Sequence, residues 1–97
     1  MRYRLTEAAV ENLEDIFIQS ILEFGELQAF KYEDSLRRTF DLLTFTPELG
    51  RKAKADNEKE RRFVHGSHVI FYRIEPEEII IESVEHGALI RDPWGDI

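Results

Sequence analysis

The chain contains no cysteine, which excludes a disulfide framework and thiolate chemistry. It also has no apolar run approaching the ~20 residues that a membrane-spanning helix needs. No apolar segment typical of a signal peptide follows the first residues. We therefore expect a cytoplasmic protein with no membrane association.

Basic residues are in the minority, with 13 lysines and arginines against 20 aspartates and glutamates and a net charge of -7. This sign argues against a protein that mainly grips nucleic acid through its phosphates. Many of the basic residues nevertheless lie between positions 51 and 62, whereas the first predicted helix is acidic. The basic segment is either solvated surface charge or a contact surface for an anionic partner.

The apolar pattern predicts a strand followed by two helices. Residues 2–5 alternate between polar and apolar side chains, as a half-buried strand does. Thr6 is a typical helix N-cap and Gly25 a typical helix stop, so the first helix lies between them. The second helix spans about 27–45 and ends before Pro47. Because the connection is so short, the two helices must be antiparallel.

Three further strands are predicted to form an antiparallel meander. Residues 51–60 precede it, and we interpret this mostly charged segment as an exposed, mobile loop. Residues 61–74 indicate two strands joined by a turn in which Gly66 takes a positive φ. The run at 69–72 is apolar without alternation, which places its strand mid-sheet with both faces covered. Residues 79–86 form the last strand.

Together these elements predict one α+β domain over residues 1–97, with 88–97 as a C-terminal tail. The helical hairpin packs on one face of a curved antiparallel sheet, and the first strand joins at one edge or beside the middle. Depending on the register, the other face presents Arg62, Tyr72 or Arg73, and His86. Arg73 interrupts an apolar run and therefore needs an open face or a carboxylate partner such as Glu82.

Four segments carry sequence motifs that are recognisable together. Residues 5–9 read LTEAA, residues 42–51 read LLTFTPELGR, residues 62–73 read RFVHGSHVIFYR, and residues 84–87 read VEHG. In this order they resemble the ParE branch of the ParE/RelE toxin superfamily, over nearly the whole chain. The third segment is the most specific match.

The resemblance implies the toxin of a type II toxin–antitoxin system. Such a toxin is non-enzymatic, uses no cofactor, inhibits DNA gyrase and is neutralised by a ParD-like antitoxin from the same operon in a hetero-oligomer. It is not expected to bind DNA sequence-specifically on its own. The chain departs from the family pattern at Val64, at Glu85 and in the tail, where proline, leucine and a different ending are usual.

Two sets of residues are candidates for binding. The antitoxin is expected to lie over the helical hairpin and the sheet. The apolar residues proposed to contact it are Leu13, Phe17, Ile21, Phe24, Phe30 and Phe40. The candidates for target binding are Arg51, Arg62, His68, Tyr72, Arg73, His86 and Trp94. A metal site is not expected at His65 and His68, because no cysteine or carboxylate motif accompanies them.

An alternative is a RelE-like, ribosome-dependent mRNA endoribonuclease, and a third possibility is an inactive interaction module. RNA cleavage requires a base, an acid and a positive group beside the phosphate. In the ribonuclease branch an arginine typically follows the histidine of the hairpin strand, whereas Val69 follows His68 here. His86 falls where that branch often keeps a catalytic histidine, although a hydrogen-bonded strand-end residue explains it better than an acid or base does. We therefore expect no enzymatic activity.

Overall fold

The computed structural model describes residues 1–89, so Trp94 and most of the predicted tail lie outside the described residues. Residues 1–89 form five strands and two helices, with short 3-10 turns at Pro47–Leu49 and Gly87–Leu89. The elements are β1 (Arg2–Leu5), α1 (Glu7–Phe24), α2 (Glu26–Phe45), β2 (Arg51–Lys54), β3 (Asn57–His65), β4 (His68–Ile74) and β5 (Glu78–His86). The predicted α+β architecture is confirmed.

The two helices are joined by a single residue. The Thr6 hydroxyl caps α1 by accepting a hydrogen bond of 3.1 Å from the Ala9 amide. Gly25 ends α1 with a φ of 87°, a left-handed conformation that favours glycine. Its N–H donates to Ile21 O at 2.9 Å, and its carbonyl accepts from Ala29 N at 3.1 Å. One glycine therefore serves as the end of one helix and the start of the next.

The sheet has the strand order β1-β5-β4-β3-β2, with β4 at its centre. The predicted central position of the run at 69–72 is confirmed, and Val69, Ile70 and Tyr72 are fully buried. The turn between β3 and β4 contains Gly66 with a φ of 57°, as predicted. β1 joins at an edge and pairs in parallel with β5, whereas all other strand pairs are antiparallel.

The predicted loop at 51–60 is wrong. This segment contains β2 and the beginning of β3, which pair antiparallel with Arg51 opposite Arg62 and Lys54 opposite Asn57. Charged side chains fit an exposed edge ribbon as well as they fit a loop, since edge strands are commonly lined with lysine. The pairing register is also irregular between Lys52 and Lys54, as is common at the edge of a sheet.

The core lies between the helices and one face of the sheet. It is formed by Ala9, Leu13, Leu36, Phe40, Leu43, Ile70, Tyr72, Ile79, Ile81 and Val84. Leu13 and Phe40 are only 4% and 0% exposed, so neither can contact an antitoxin, which corrects that part of the proposed set. Neither helix within residues 1–89 combines the length and apolar character that a transmembrane helix requires.

Tyr72 holds the connection between α2 and β2. Its hydroxyl donates to Pro47 O at 2.6 Å and accepts from Gly50 N at 2.9 Å. A Cβ atom on residue 50 would collide with this hydroxyl and lie 2.7 Å from the carbonyl oxygen of Arg62. Gly50 is therefore required by close packing rather than by its backbone conformation.

Candidate functional site

A groove of about 730 Å³ runs between α1 and the end of β5. It exists because β1 is short: β1 pairs with β5 only from Glu78 to Ile81, and α1 rather than another strand lies beside the remaining edge. Its described apolar lining comes from Ala8, Ile16, Phe24 and Val84. The charged and titratable residues that line it are Asp15, Glu23, Tyr32, His68, Glu85 and His86.

The N-cap residue and the first turns of α1 form hydrogen bonds with part of this edge of β5. The Thr6 amide donates to Ile81 O at 3.1 Å, and the Thr6 hydroxyl donates to Glu82 O at 2.8 Å. Asn12 Oδ1 accepts a hydrogen bond of 3.0 Å from Val84 N. These contacts fix α1 against β5 and so set the width of the groove.

Tyr32 and two histidines form the sheet end of the groove. The Tyr32 hydroxyl lies 2.6 Å from His68 Nδ1 and 3.2 Å from His65 O. Because the phenol has one proton, both contacts are satisfied when His68 Nδ1–H donates to Tyr32 and Tyr32 donates to His65 O. The His68 and His86 rings meet edge to face, with centroids 5.2 Å apart.

Burial changes the pKa values at this end of the groove. It lowers the pKa of His68, and nearby positive charge on His86 and His65 lowers that pKa further. Burial also raises the pKa of the Tyr32 phenol, which therefore stays protonated near neutral pH. The site thus favours neutral side chains at Tyr32 and His68.

His65 joins the β3–β4 turn to α2. Its Nε2 lies 2.9 Å from the Ser35 hydroxyl, and its Nδ1 lies 3.0 Å from the Thr39 hydroxyl. The Ser35 and Thr39 hydroxyls also lie 2.7 Å from Tyr32 O and 3.0 Å from Ser35 O, respectively. With a neutral ring, one hydroxyl accepts from the imidazole N–H and donates to its carbonyl, and the other donates to the unprotonated ring nitrogen. Burial lowers the pKa of His65. The histidines flanking the turn are therefore structural links between helix and sheet.

Arg73 lies on the other face of the sheet in a network of carboxylates. Its Nε and Nη1 atoms lie 2.8 Å from Glu75 and 2.8 Å from Glu82, respectively. The carboxylate partner predicted for Arg73 is thus confirmed. Burial, a hydrogen bond with Glu60 and the charge of Glu60 raise the pKa of Glu82.

Of the residues predicted to share the face opposite the helices, Arg62 and Arg73 lie on it, whereas Tyr72 and His86 do not. Arg62 lies on that face and is only 6% exposed, whereas Tyr72 points into the core. A β-bulge opposite Phe71 and Tyr72 adds one residue to β5. This extra residue reverses the alternation beyond it, and His86 therefore faces the groove. The consecutive polar residues Glu82 and Ser83 were the sequence signal that could have revealed the bulge.

The remaining antitoxin-binding candidates are accessible to different degrees. Phe24 is 67% exposed and lines the groove, and Phe30 is 57% exposed. Phe17 and Ile21 are half-buried, and the Phe17 ring packs edge to face against Phe30 at 5.1 Å. Phe24 was predicted on the buried face of α1, but it ends the helix at the hairpin tip, where Leu22 is also exposed.

Several groove residues were not found from the sequence. Asp15, Gln19 and Glu23 follow one another at intervals of four, which is the spacing of one side of a helix. The sequence indicated only that this helix is acidic. Nothing in the sequence indicated that β1 would stop short and leave a groove beneath this side of α1.

Comparison with known proteins places this architecture in a family. The model of the ParE toxin of the type II toxin–antitoxin system, parDE, matches residues 3–90. The chain belongs to the ParE toxin family. Toxin ParE1 of Caulobacter vibrioides is 35% identical over 93 residues, which cover 96% of this chain and 97% of that protein.

Two further similarities agree with this assignment. Toxin ParE1 of Mycobacterium tuberculosis is 33% identical over 79 residues, 81% of each chain. A chain in the structure of the chromosomal ParDE TA system from P. aeruginosa matches with a TM-score of 0.73, covering 89% of this chain and 95% of that chain. At 17% identity the latter supports the fold alone. The protein is therefore a ParE toxin of a type II toxin–antitoxin system.

Proposed function

We propose that this toxin acts in the cytoplasm by binding DNA gyrase, without cleaving RNA, and that a cognate antitoxin neutralises it. Family membership supports the gyrase target. The observation that carries the non-enzymatic part is the composition of the groove. Its histidine end brings His68 and His86 together with carboxylates, but no lysine or arginine lines it among residues 1–89.

RNA cleavage needs a cation beside the scissile phosphate to stabilise the negative charge of the transition state. Arg73 is engaged by Glu75 and Glu82 on the other face of the sheet. Val69 follows His68 and is buried on that same face. In addition, His86 Nδ1 accepts a hydrogen bond of 3.0 Å from Ala88 N. The groups of an RNA-cleaving site are thus distributed rather than convergent.

The groove and the hairpin tip support binding of an antitoxin. The hairpin tip exposes large apolar side chains at Leu22, Phe24 and Leu27, and such patches mark interaction surfaces. The adjoining groove is large enough to hold side chains of a bound segment. An antitoxin segment that covers the tip and enters the groove would bury this apolar surface.

For the gyrase–DNA complex, the ribbon formed by β2 and β3 is the better candidate surface. Six of the 13 basic residues of this acidic chain fall within residues 51–62. Arg51, Lys54 and Lys59 are exposed there. Exposed cations on an edge ribbon fit the phosphates of a DNA segment held by the target enzyme.

A supercoiling assay with purified gyrase and purified toxin tests the proposal. We expect the toxin to inhibit supercoiling and to accumulate cleaved DNA, and the antitoxin to restore activity. The combined Lys54→Ala and Lys59→Ala variant should inhibit less. Glu7→Ala and Glu11→Ala, exposed on α1, form the matched control. Unaffected supercoiling with codon-positioned mRNA cuts would favour the ribonuclease, and neither effect would indicate an inactive interaction module.

A further inference from the structure

The part of the β2–β3 ribbon that carries Lys54 and Lys59 extends beyond the rest of the sheet. β3 pairs with the central strand β4 only from Glu60 onward. Within residues 1–89, positions 54–59 are therefore supported by no third strand. Because a two-stranded ribbon is at best marginally stable by itself, the position of the two lysines depends on further contacts.

Charge alone does not make this outer part of the ribbon a phosphate site. Besides its two lysines it carries two carboxylates, Asp56 and Glu58, so the opposite charges are equal in number. Lys52 compensates one of them, since its Nζ lies 3.5 Å from the Glu58 carboxylate, whereas Asp56 is exposed. A phosphate is attracted only where the lysines are closer to it than the carboxylates are. Binding of DNA here thus depends on how the ribbon is positioned.

Arg61 joins the outer part of the ribbon to its base. Its Nε donates a hydrogen bond of 2.7 Å to Glu58 O, and its Nη1 donates one of 3.1 Å to Gly50 O. The Gly50 amide in turn donates to the buried Tyr72 hydroxyl at 2.9 Å. A continuous series of hydrogen bonds therefore leads from the core of the protein to the unsupported part of the ribbon.

The contacts of Arg61 also show that the ribbon is bent. In a straight ladder, the pairing of Arg51 with Arg62 would put Gly50 five positions along β3 from Glu58. At about 3.3 Å per residue, their carbonyls would be about 16 Å apart along the strand, and two nitrogens of one guanidinium could not bond both. The observed hydrogen bonds require a bend, and Arg61 holds it from the inside.

We propose that Arg61 is a positioning residue for target binding: its guanidinium holds the bent ribbon so that Lys54 and Lys59 reach phosphates of the DNA on gyrase, and it makes no phosphate contact itself. This inference rests on the proposed action of the ribbon on the gyrase–DNA complex. A lysine at position 61 would keep the positive charge, but its single ammonium cannot reproduce the fork that bonds both carbonyls. Charge and positioning can therefore be separated at this residue.

The test compares inhibition of gyrase supercoiling by the wild type and by Arg61→Lys at several salt concentrations. We expect the toxin concentration for half-inhibition to rise roughly fivefold, by the same factor at each salt concentration, because no phosphate contact is lost at position 61. Lys59→Ala should raise it by a factor that shrinks as salt is added, because a phosphate contact is removed. The matched control Arg37→Lys, at an exposed position of α2, should change it less than about twofold.

A disulfide across the ribbon tests positioning without a guanidinium. Lys52 lies directly opposite Arg61, and the chain contains no other cysteine, so Lys52→Cys with Arg61→Cys can link the two strands. The oxidised form should inhibit roughly threefold more strongly than the reduced form, since the link restrains the ribbon. If the disulfide does not form, amide hydrogen exchange takes its place, and Arg61→Lys should then exchange faster at positions 54–59 with the rest of the sheet unchanged.

The outcomes distinguish this inference from the function on which it rests. A factor that shrinks with salt in Arg61→Lys would make Arg61 a phosphate ligand and overturn the inference. Inhibition by Arg61→Lys equal to that of the wild type would also overturn it, as would equal inhibition by the oxidised and reduced forms or unchanged exchange. No inhibition by the wild type would instead overturn the gyrase target, and full inhibition by the combined Lys54→Ala and Lys59→Ala variant would overturn the role of the ribbon.

Discussion

Two tyrosines tie the helical layer to the sheet, and they differ in what they bind. Near the C-terminal end of α2, the fully buried Tyr72 hydroxyl bonds only backbone groups, Pro47 O and Gly50 N. In the first half of α2, the half-buried Tyr32 hydroxyl bonds a carbonyl and the imidazole of His68. The first link supports the basic ribbon, and the second borders the acidic groove.

This difference shows how one small fold supports two surfaces with separate requirements. The Tyr72 link contains no histidine and is closed to solvent, and burial raises the pKa of its phenol, so its hydrogen bonds do not depend on protonation near neutral pH. The Tyr32 link includes His68, and so its hydrogen bonds depend on protonation. Mutations at the two ends should therefore differ both in magnitude and in their dependence on pH.

The largest effect is expected from Gly50→Ala at the Tyr72 end. The added Cβ would meet the Tyr72 hydroxyl and would lie 2.7 Å from Arg62 O and 2.8 Å from a ring carbon of Tyr72. Both neighbours are held in place, because the ring is buried and the carbonyl belongs to a strand. We expect a loss of about 3 kcal/mol in the free energy of unfolding, measured by urea denaturation.

A double-mutant cycle tests the cause of that loss. In a Tyr72→Phe background the hydroxyl is absent, so Gly50→Ala should cost about 1 kcal/mol less than in the wild type. Gly66→Ala is an informative comparison, because Gly66 has a φ of 57° and its strain does not involve Tyr72. Simple additivity of Gly50→Ala and Tyr72→Phe would contradict the proposed contact.

The next largest expected effect is the difference between the stability losses caused by removing the Tyr72 and the Tyr32 hydroxyls. Tyr72→Phe leaves the buried Gly50 N–H and Pro47 O without this partner, which should cost about 2 kcal/mol. Tyr32→Phe should cost about 1 kcal/mol, because its site borders the groove and water can replace the hydroxyl. Thermal and urea unfolding of both variants measure the difference. Equal losses would mean that the two ends are equally closed to solvent.

Much of the fold was predictable because local chemistry decided it. The Thr6 cap, the Gly25 stop and the apolar run at 69–72 all specify structure through contacts with nearby chain or through hydrophobic pattern. The edge strand β2 was missed, because its charged side chains are typical of a loop. Its pairing with β3 is made by backbone hydrogen bonds, which leave no apolar pattern in the sequence.

The candidate site was less predictable, because it depends on distant parts of the chain. His86 was expected on the face with Arg62, but the bulge in β5 moved it to the groove. The groove itself results from the short length of β1, which no single residue of α1 reveals. The partner of Arg73 was predictable, because a charged side chain inside an apolar run requires a carboxylate within reach.

The smallest expected effect is a dependence of stability on pH that the histidines at the Tyr32 end produce. Burial lowers the pKa values of His65 and His68 below the ordinary 6.5. Below pH 6.5 the unfolded chain therefore binds more protons than the folded chain, and the free energy of unfolding falls as the pH falls through the folded pKa values. The raised pKa of Glu82 has the opposite effect on stability. From pH 4.5 up to its raised folded pKa, the folded chain binds more protons at Glu82 than the unfolded chain does, so this contribution increases stability as the pH falls.

Urea unfolding between pH 8 and pH 5.5 measures this dependence. The His68→Gln variant should make the profile less steep, since glutamine does not titrate and only His65 remains. Tyr72→Phe should shift the whole profile downward without changing its slope, because Pro47 O and Gly50 N do not titrate. A wild-type stability that rises as the pH falls from 6.5 to 5.5, with a smaller rise in His68→Gln, would show that protonated histidines are favoured at this end. The Tyr32 link would then be strengthened by protonation rather than weakened.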